Sequence, residues 1–223
     1  MLTVHHLENS QSFRVLWLLE ELDVPYYIEH YARNKETSLA PDNFKKLHPA
    51  GTSPCISDGE HILPESNATL EYILDKYGNT ELRNLGSEQH RVSYLYWFHS
   101  AQGSLMPLLT ESLIFKRMIS KSPVFIRPII RVVVGKVQSR YLNPRLDKLI
   151  SHIEQTLKHS RWFAGGTFTA ADIVMGYCME VAIARVKLGN EYPNIHRFVT
   201  DIKRRPAYQK ALDKNGPFTP LVD

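Results

Sequence analysis

The sequence predicts a two-part fold, an α/β domain followed by an all-helical domain. Two observations support this expectation. Short β-prone runs alternate with helical patterns over residues 1–80, and the apolar residues of every later segment recur at helical spacing. At 223 residues, with 43% hydrophobic and 22% charged side chains, the chain has the length and composition to bury a substantial core.

Strand and helix patterns over residues 1–80 follow the order βαβαββα. Leu2–Leu7 alternates as a first strand, and Phe13–Leu22 carries the broad apolar face of a helix. This order is a thioredoxin-like arrangement, with a mixed sheet and helices on both faces. The later elements are a strand at Tyr26–Tyr31, a short helix at Pro41–Leu47, two strands within 54–63 and a helix after Glu65.

The stretch 48–66 is the most informative part of this domain. A turn containing Asp58 and Gly59 joins two short apolar runs, as in a β-hairpin. Pro54 stands at the start of the first run, where a missing ladder N–H is tolerated. The cis form of an X–Pro bond costs only about 0.5–1 kcal/mol. A cis Ser53–Pro54 bond would turn the Ser53 backbone away from the sheet, where it could pair with an extended, peptide-like ligand.

Two further segments predict helix N-termini. Ser66 opens a run with helical spacing, so we expect it to be an N-cap whose helix end attracts a carboxylate. Thr169 and Asp172 form a capping box, with Asp in place of Glu, ahead of the apolar run 173–187. We expect this second pair to be structural and not catalytic.

The polar stretch 79–87 predicts a domain boundary. We therefore place one domain at residues 1–80 and an all-helical domain at residues 87–223. We expect Pro107 to kink or break the long helical pattern that begins at Glu88, because proline removes a helical hydrogen bond.

Charge and cysteine content limit the classes of partner. Residues 1–80 carry 6 Lys+Arg and 12 Asp+Glu, whereas residues 81–223 carry 21 and 11, without the basic and aromatic clustering of nucleic-acid-binding proteins. We expect no nucleic-acid partner. We expect no membrane partner either, because no apolar run approaches about 18 residues and the N-terminus lacks a signal-peptide pattern. Cys55 and Cys178 have no metal-ligand spacing, so we expect no metal site and a reducing, cytoplasmic location.

Three segments resemble the cytosolic glutathione S-transferases. They are LENSQSFRVLWLLEEL after the first strand, the proline-led hairpin that ends in Glu65 and Ser66, and WFAGGTFTAADI in the helical half. The last segment is similar to the folding signature of the family's helical domain, so the resemblance covers both predicted domains. The loop 9–12 contains no Cys and no Tyr. The chain therefore resembles the serine-type transferases, of the theta- or phi-like or the bacterial and fungal classes.

The resemblance implies which residue activates glutathione. In the family the catalytic serine lies four residues before an arginine that begins the first helix, and counting back from Arg14 gives Ser10. Some relatives place the working group one residue earlier, at Asn9. Ser12 is a third candidate and also the expected N-cap of the helix. The implied role is to donate a hydrogen bond that keeps the glutathione sulfur a thiolate, with glutathione as co-substrate and no other cofactor.

The resemblance also implies how the two substrates are held. The Ser53 backbone before Pro54 pairs with the cysteinyl part of glutathione, while Glu65 and Ser66 hold the γ-glutamyl amine and carboxylate. Thr52 stands where many relatives carry Lys or Gln, so its contact with the glycyl end is open. The electrophile is implied to bind against the first helix of the second domain, where the candidate pocket residues are Tyr94, Trp97, Gln102 and Met106.

The implied function is transfer of alkyl or aryl groups to glutathione, from small hydrophobic electrophiles, in detoxification. Glutathione-dependent peroxidase activity and a homodimeric state are implied as well. Two alternatives stay open. One is a non-enzymatic glutathione-binding or scaffold protein on the same fold. The other is a glutathione-dependent thiol–disulfide oxidoreductase, against which the missing loop cysteine argues.

Overall fold

The α/β half is built on a four-stranded mixed sheet. A computed structural model describes the chain at residues 1–78, 81–83 and 86–216. The strands are β1 at Leu2–Leu7, β2 at Tyr27–Tyr31, β3 at Cys55–Asp58 and β4 at His61–Pro64. The sheet order is β2-β1-β3-β4, in which β1 is parallel to β2 and the other pairs are antiparallel. The predicted mixed sheet and hairpin are confirmed.

The first helix, α1 (Phe13–Glu21), packs against both halves of the molecule. Its residues 13–19 are all buried, because α1 contacts α3 at Ser66–Lys76 on one side and helices of the second half on the other. At its centre the Trp17 ring meets the Tyr208 ring edge-on, with centroids 5.0 Å apart. This double contact accounts for the broad apolar face in the sequence. The short α2 lies at Asp42–Lys45.

The described part of the second half is helical, after a short 3-10 turn at Glu81–Arg83. Its α-helices are α4 at Glu88–Ser100, α5 at Met106–Ser120, α6 at Arg127–Val137, α7 at Asn143–His159, α8 at Ala170–Val186, α9 at Pro193–Lys203 and α10 at Pro206–Asn215. The predicted fold class is therefore confirmed, with a thioredoxin-like domain followed by a helical one.

Two π-helical turns interrupt the long helical stretches, and a proline follows each. Ala101–Leu105 separates α4 from α5, and Gln138–Leu142 separates α6 from α7. Pro107 and Pro144 stand in the first turn of the helix that comes next. Proline donates no backbone hydrogen bond and crowds the carbonyl four residues earlier, so the preceding turn widens. The break predicted at Pro107 is confirmed, and it lies one turn upstream of the proline.

The capping box at the start of α8 is present as predicted. The Asp172 carboxylate accepts hydrogen bonds from the backbone N–H of Thr169 and of Phe163, both at 2.8 Å, and from the Thr169 hydroxyl at 3.0 Å. All of these groups are buried. Asp172 thus ties the turn before α8 to the first turn of this central helix.

The start of α3 differs from the expectation by one residue. Ser66 is the first helical residue and Glu65 the N-cap, with a left-handed φ of 79° and no capping hydrogen bond from its side chain. The Ser66 hydroxyl instead reaches the loop after β1, as described below. The predicted boundary at 79–87 falls partly on residues 79, 80, 84 and 85, which lie outside the described residues, so the domain limits stay a prediction.

Cys55 and Cys178 are both buried and unpaired. Among the residues that the structure describes, no helix has the length and apolar character needed to cross a membrane.

Candidate active site

Ser10 lies in the tight loop between β1 and α1, and its hydroxyl is held by two others. The Ser10 Oγ is 2.8 Å from the Ser12 Oγ and 2.8 Å from the Ser53 Oγ. Asn9 has a left-handed φ of 49°, which Asn tolerates better than most residues and which lets the chain turn sharply into α1. Ser10 is only 5% exposed. The loop after β1 and the residue before β3 thus converge on one hydroxyl.

His6 extends this cluster from the far side. Its Nδ1 is 2.8 Å from the Ser12 Oγ, so the contacts run from His6 through Ser12 and Ser10 to Ser53. Burial, together with the neighbouring His30, lowers the pKa of His6 to about 4, so the imidazole is neutral at pH 7. A neutral imidazole carries one N–H. When that proton is on Nδ1, His6 donates to Ser12, Ser12 donates to Ser10, and the Ser10 proton can point to a ligand.

The Ser53–Pro54 peptide bond is cis. Pro54 is buried beneath the loop, Ser53 is half-buried and Thr52 is exposed. The hydrogen bond between the Ser10 and Ser53 hydroxyls brings the residue before Pro54 to the loop that carries Ser10.

A second polar cluster lies at the start of α3. The Ser66 hydroxyl donates to the Gln11 Oε1 at 2.9 Å, and the Gln102 Nε2 donates to the Ser66 Oγ at 3.3 Å. Gln102 is placed there by the first π-helical turn, and its own oxygen accepts from the Arg14 guanidinium at 3.2 Å. Glu65 is exposed beside this cluster. Because Gln11 adjoins Ser10, the two polar clusters share one loop.

The space in front of Ser10 is a cavity of about 390 Å³ between the two halves of the molecule. Arg33 and Arg185 line it and bring positive charge. Burial raises the pKa of the Tyr177 phenol, which also lines it, so that group keeps its proton. The helical half contributes Met106, Thr110, Leu113, Tyr177 and Arg185, and the α/β half contributes Leu7, Asn9, Ser10, Gln11, Arg33, Leu39, Ala40, Gly51, Thr52 and Ser53.

Family models match both halves of the chain. Residues 1–75 match the glutathione S-transferase N-terminal domain, and residues 128–215 match the glutathione S-transferase C-terminal domain. The chain is 35% identical to glutathione S-transferase 3 of Schizosaccharomyces pombe over 96% of its length and 88% of that relative. This chain belongs to the glutathione S-transferase family.

Comparisons with further proteins agree with this family assignment of the transferase. It is 29% identical to glutathione S-transferase 1 of Saccharomyces cerevisiae, with 96% of this chain and 95% of that protein covered. A glutathione S-transferase structure from Actinobacillus pleuropneumoniae matches with a TM-score of 0.81 and 29% identity over 99% of this chain and 95% of that one. A Phanerochaete chrysosporium transferase in complex with oxidized glutathione shares the fold, with a TM-score of 0.73 and 18% identity over 98% and 97% of the two chains.

The transferase brings together many of the residues that its sequence singled out, but two lie apart. Tyr94 is 4% exposed and stacks on Phe98, and Trp97 is 3% exposed and packs between His152 and Phe163. Neither lines the cavity at Ser10, whereas Met106 does and Gln102 reaches Ser66. The sequence-predicted residues that line the cavity are Asn9, Ser10, Thr52, Ser53 and Met106. Ser12 and Ser66 contact its loop, and Gln102 contacts Ser66.

Sequence reasoning left out several residues of the transferase site. His6 is one of two adjacent histidines on β1, and the strand pattern gives no signal that His6 contacts the loop 9–12. Thr110 and Leu113 could have been found from Met106, because positions i, i+4 and i+7 share one face of a helix. Arg33, Tyr177 and Arg185 come from segments far apart in the sequence, and their local patterns give no signal for the cavity.

Proposed function

We propose that this transferase binds glutathione with its sulfur beside Ser10, ionises the thiol and joins the glutathione sulfur to a carbon of small hydrophobic electrophiles. One observation carries the proposal: the Ser10 hydroxyl, fixed by Ser12 and Ser53, borders a cation-lined cavity at the start of α1. The thiol proton leaves to solvent, the sulfur forms a bond to carbon, and the electrophile's leaving group departs or its developing anion takes up a proton.

The free-energy requirement for the thiolate is modest. A free thiol has a pKa near 8.5, and lowering it by about two units takes about 2.7 kcal/mol. A hydroxyl hydrogen bond to a charged group contributes roughly 1.5–3 kcal/mol, and the N-terminus of α1 adds about 0.3–1 kcal/mol. Ser10 as donor thus meets most of the requirement. We propose that no metal or further cofactor takes part.

The polar cluster at α3 suits the γ-glutamyl end of glutathione. Ser66 and Gln11 can exchange their mutual hydrogen bond for bonds to the ligand carboxylate, with Gln102 behind them. The exposed Glu65 carboxylate would accept a charge-assisted hydrogen bond from the ligand amine. The Ser53 backbone would pair with the cysteinyl part, as in strand addition.

Replacing Ser66 with alanine is expected to raise the glutathione KM by about 10- to 100-fold, since one hydrogen bond to a charged group is lost. The turnover number should change much less, because Ser66 is remote from the sulfur in this pose. Initial rates at varied glutathione concentration measure both. Ser151→Ala, at an exposed position on α7, is the matched control. An unchanged KM for Ser66→Ala would contradict the assignment.

His6 is expected to orient the hydroxyls through its Nδ1 proton. His6→Asn keeps an N–H donor close to the Nδ1 position, whereas His6→Gln moves the donor away. We expect His6→Asn to keep most of the activity and His6→Gln to lose roughly tenfold, about one hydrogen bond. The pH profile of kcat/KM checks this, because loss of the relay raises the apparent pKa of bound glutathione. Equal profiles for the two variants would contradict the role.

The electrophile would occupy the part of the cavity formed by the helical half. Met106, Leu113 and the Tyr177 ring provide apolar surface, which favours small hydrophobic substrates. A panel containing chlorodinitrobenzene, an alkyl halide and an organic hydroperoxide separates conjugation from peroxidase activity. Turnover of polar electrophiles only would contradict the proposed class.

We also infer a homodimer, as in the family, and a cytoplasmic role in detoxification, where a reduced glutathione pool supplies the co-substrate. Exposed apolar side chains on β4 and α4 support a partner surface at this place. These side chains are Ile62, Val92, Leu95 and Tyr96. Analytical ultracentrifugation tests the dimer directly, against a chain mass of 25.7 kDa.

A further inference from the structure

The segment from the end of α5 to the end of α6 combines exposed apolar side chains with a large positive charge. Residues 114–137 contain 6 Lys and Arg and no Asp or Glu. Val124 and Phe125, in the turn between the helices, are 75% and 82% exposed. We call residues 114–137 the α5–α6 hairpin. Exposure of this extent for two neighbouring apolar side chains is unusual on a free surface.

Most apolar side chains of α6 are exposed. Val134 is the only residue of this helix that is buried. Ile129, Val133 and Val137 stand at positions i, i+4 and i+8, so they form one exposed line along the helix. Lys136 lies within the same face and is exposed. Such a helix, apolar on its outer face and basic, is typical of segments that lie in the interface of a membrane.

We propose that the α5–α6 hairpin docks this transferase on an anionic membrane surface. Phe125 and Val124 would enter the boundary between headgroups and acyl chains, and Lys121, Arg131 and Lys136, all exposed, would meet the lipid phosphates and carboxylates. The cytoplasmic leaflet carries the negative surface potential that this charge complements. The sequence-based expectation of no membrane partner rested on the lack of a long apolar run and of a signal-peptide pattern. Docking on a membrane surface requires neither of them.

The charge pattern favours lipid over the other occupants. A second copy placed by a two-fold axis would set this basic face against itself, and like charges repel. A nucleic acid would match the charge, but it would leave the Phe125 and valine side chains on a polyanionic backbone. The proposed dimer surface lies on β4 and α4, whereas the hairpin begins in the second half of α5.

Docking through this hairpin would bring the catalytic cavity close to the lipid. Met106, Thr110 and Leu113 of α5 line that cavity, and the Lys116 ammonium donates to the backbone carbonyl of Arg185, another lining residue. Hydrophobic electrophiles concentrate in bilayers, so a docked enzyme would draw substrate from the phase where it accumulates.

Vesicle co-sedimentation of the full chain tests the proposal. We expect binding to phosphatidylcholine vesicles that contain phosphatidylserine, weak binding to phosphatidylcholine alone, and loss of binding at high ionic strength. Replacing three hairpin cations should lower the partition coefficient about a hundredfold, at roughly fivefold for each charge. Phe125→Ser should lower it about tenfold or more. The charge variant is Lys121→Gln with Arg131→Gln and Lys136→Gln.

Matched controls separate docking from general charge and from folding. Lys158→Gln with Arg204→Gln and Lys210→Gln removes the same charge from other exposed positions and should leave binding within about twofold, as should Tyr27→Ser on β2. Conjugation rates with a water-soluble electrophile should stay unchanged in every variant. The proposal is overturned if the chain ignores phosphatidylserine, if both charge variants bind equally, or if Phe125→Ser abolishes a dimer in ultracentrifugation while vesicle binding is absent.

Discussion

Replacing Ser10 with alanine is expected to lower kcat/KM for glutathione conjugation by about 10- to 100-fold at neutral pH. The lost hydrogen bond to the thiolate is worth roughly 1.5–3 kcal/mol, which also raises the apparent pKa of bound glutathione by about one to two units. The deficit should therefore shrink as pH rises, because hydroxide then ionises the thiol without help. Chlorodinitrobenzene conjugation, measured across pH, gives both quantities.

Two companion variants decide between neighbouring donors. Asn9→Ala removes the competing amide, and we expect a smaller loss, because Ser10 and not Asn9 is held by Ser12 and Ser53. Ser12→Ala should give an intermediate loss, since it leaves Ser10 in place but frees it to rotate. Full activity in Ser10→Ala, together with a large loss in Asn9→Ala, would move the catalytic role to the amide.

The second large effect is on stability and concerns the start of α8. Asp172→Ala should lower the free energy of unfolding by about 3–5 kcal/mol, because two buried backbone N–H groups, of Thr169 and Phe163, lose their acceptor and the cap is lost. Denaturant titration followed by tryptophan fluorescence measures the change. The reason for so large an effect is position: α8 contacts α1, α4, α5 and α9, so loosening its first turn loosens the whole helical core.

Two other aspartate variants make this result specific. Asp213→Ala, at an exposed site on α10, should change stability by less than about 0.5 kcal/mol. Asp172→Asn retains one acceptor oxygen and should fall between Asp172→Ala and the native chain. If Asp172→Ala unfolded at the same denaturant concentration as Asp213→Ala, the capping box would not contribute to the stability of this fold.

The elements of the fold followed from local patterns, whereas the loop residues of the site were implied by the resemblance to the glutathione S-transferases. β1 begins and ends where its alternation does. The Ser10 loop and the Ser53–Pro54 corner are short segments, but three elements separate them along the chain. The extent of a strand depends on neighbouring residues and can be predicted from them, whereas the contact between Ser10 and Ser53 depends on the tertiary structure.

The cavity residues of the helical half were harder to predict, because a π-helical turn separates the candidate residues of α4 from Met106. Ala101–Leu105 inserts an extra residue into the helical repeat, which rotates everything after it by about 100° relative to an unbroken helix. Tyr94 and Trp97 precede this turn and face the core, whereas Met106 follows it and faces the cavity. A helical wheel at 100° per residue places Met106 about 120° from Tyr94 and about 180° from Trp97, but it gives no signal for which of these faces meets the other half of the molecule.

The remaining site residues depend on how the two halves pack. Tyr177 and Arg185 lie on α8, and Arg33 follows β2, so they meet at the cavity only once α1 is packed against both sides. His6 reaches Ser12 because the loop after β1 folds back toward the strand. The alternation of β1 predicts only that the His6 side chain lies on one face of the sheet.

The proposed catalysis depends on the charge state of the bound glutathione sulfur, and this charge state can be observed directly. Thiolates absorb in the ultraviolet where thiols do not, so a difference titration of glutathione bound to the native enzyme reports the pKa of its sulfur. We expect a pKa of about 6.5, roughly two units below the free thiol, and a return toward about 8.5 in Ser10→Ala. A bound thiol that titrates near 8.5 in the native enzyme, or equally in both proteins, would contradict the role of Ser10.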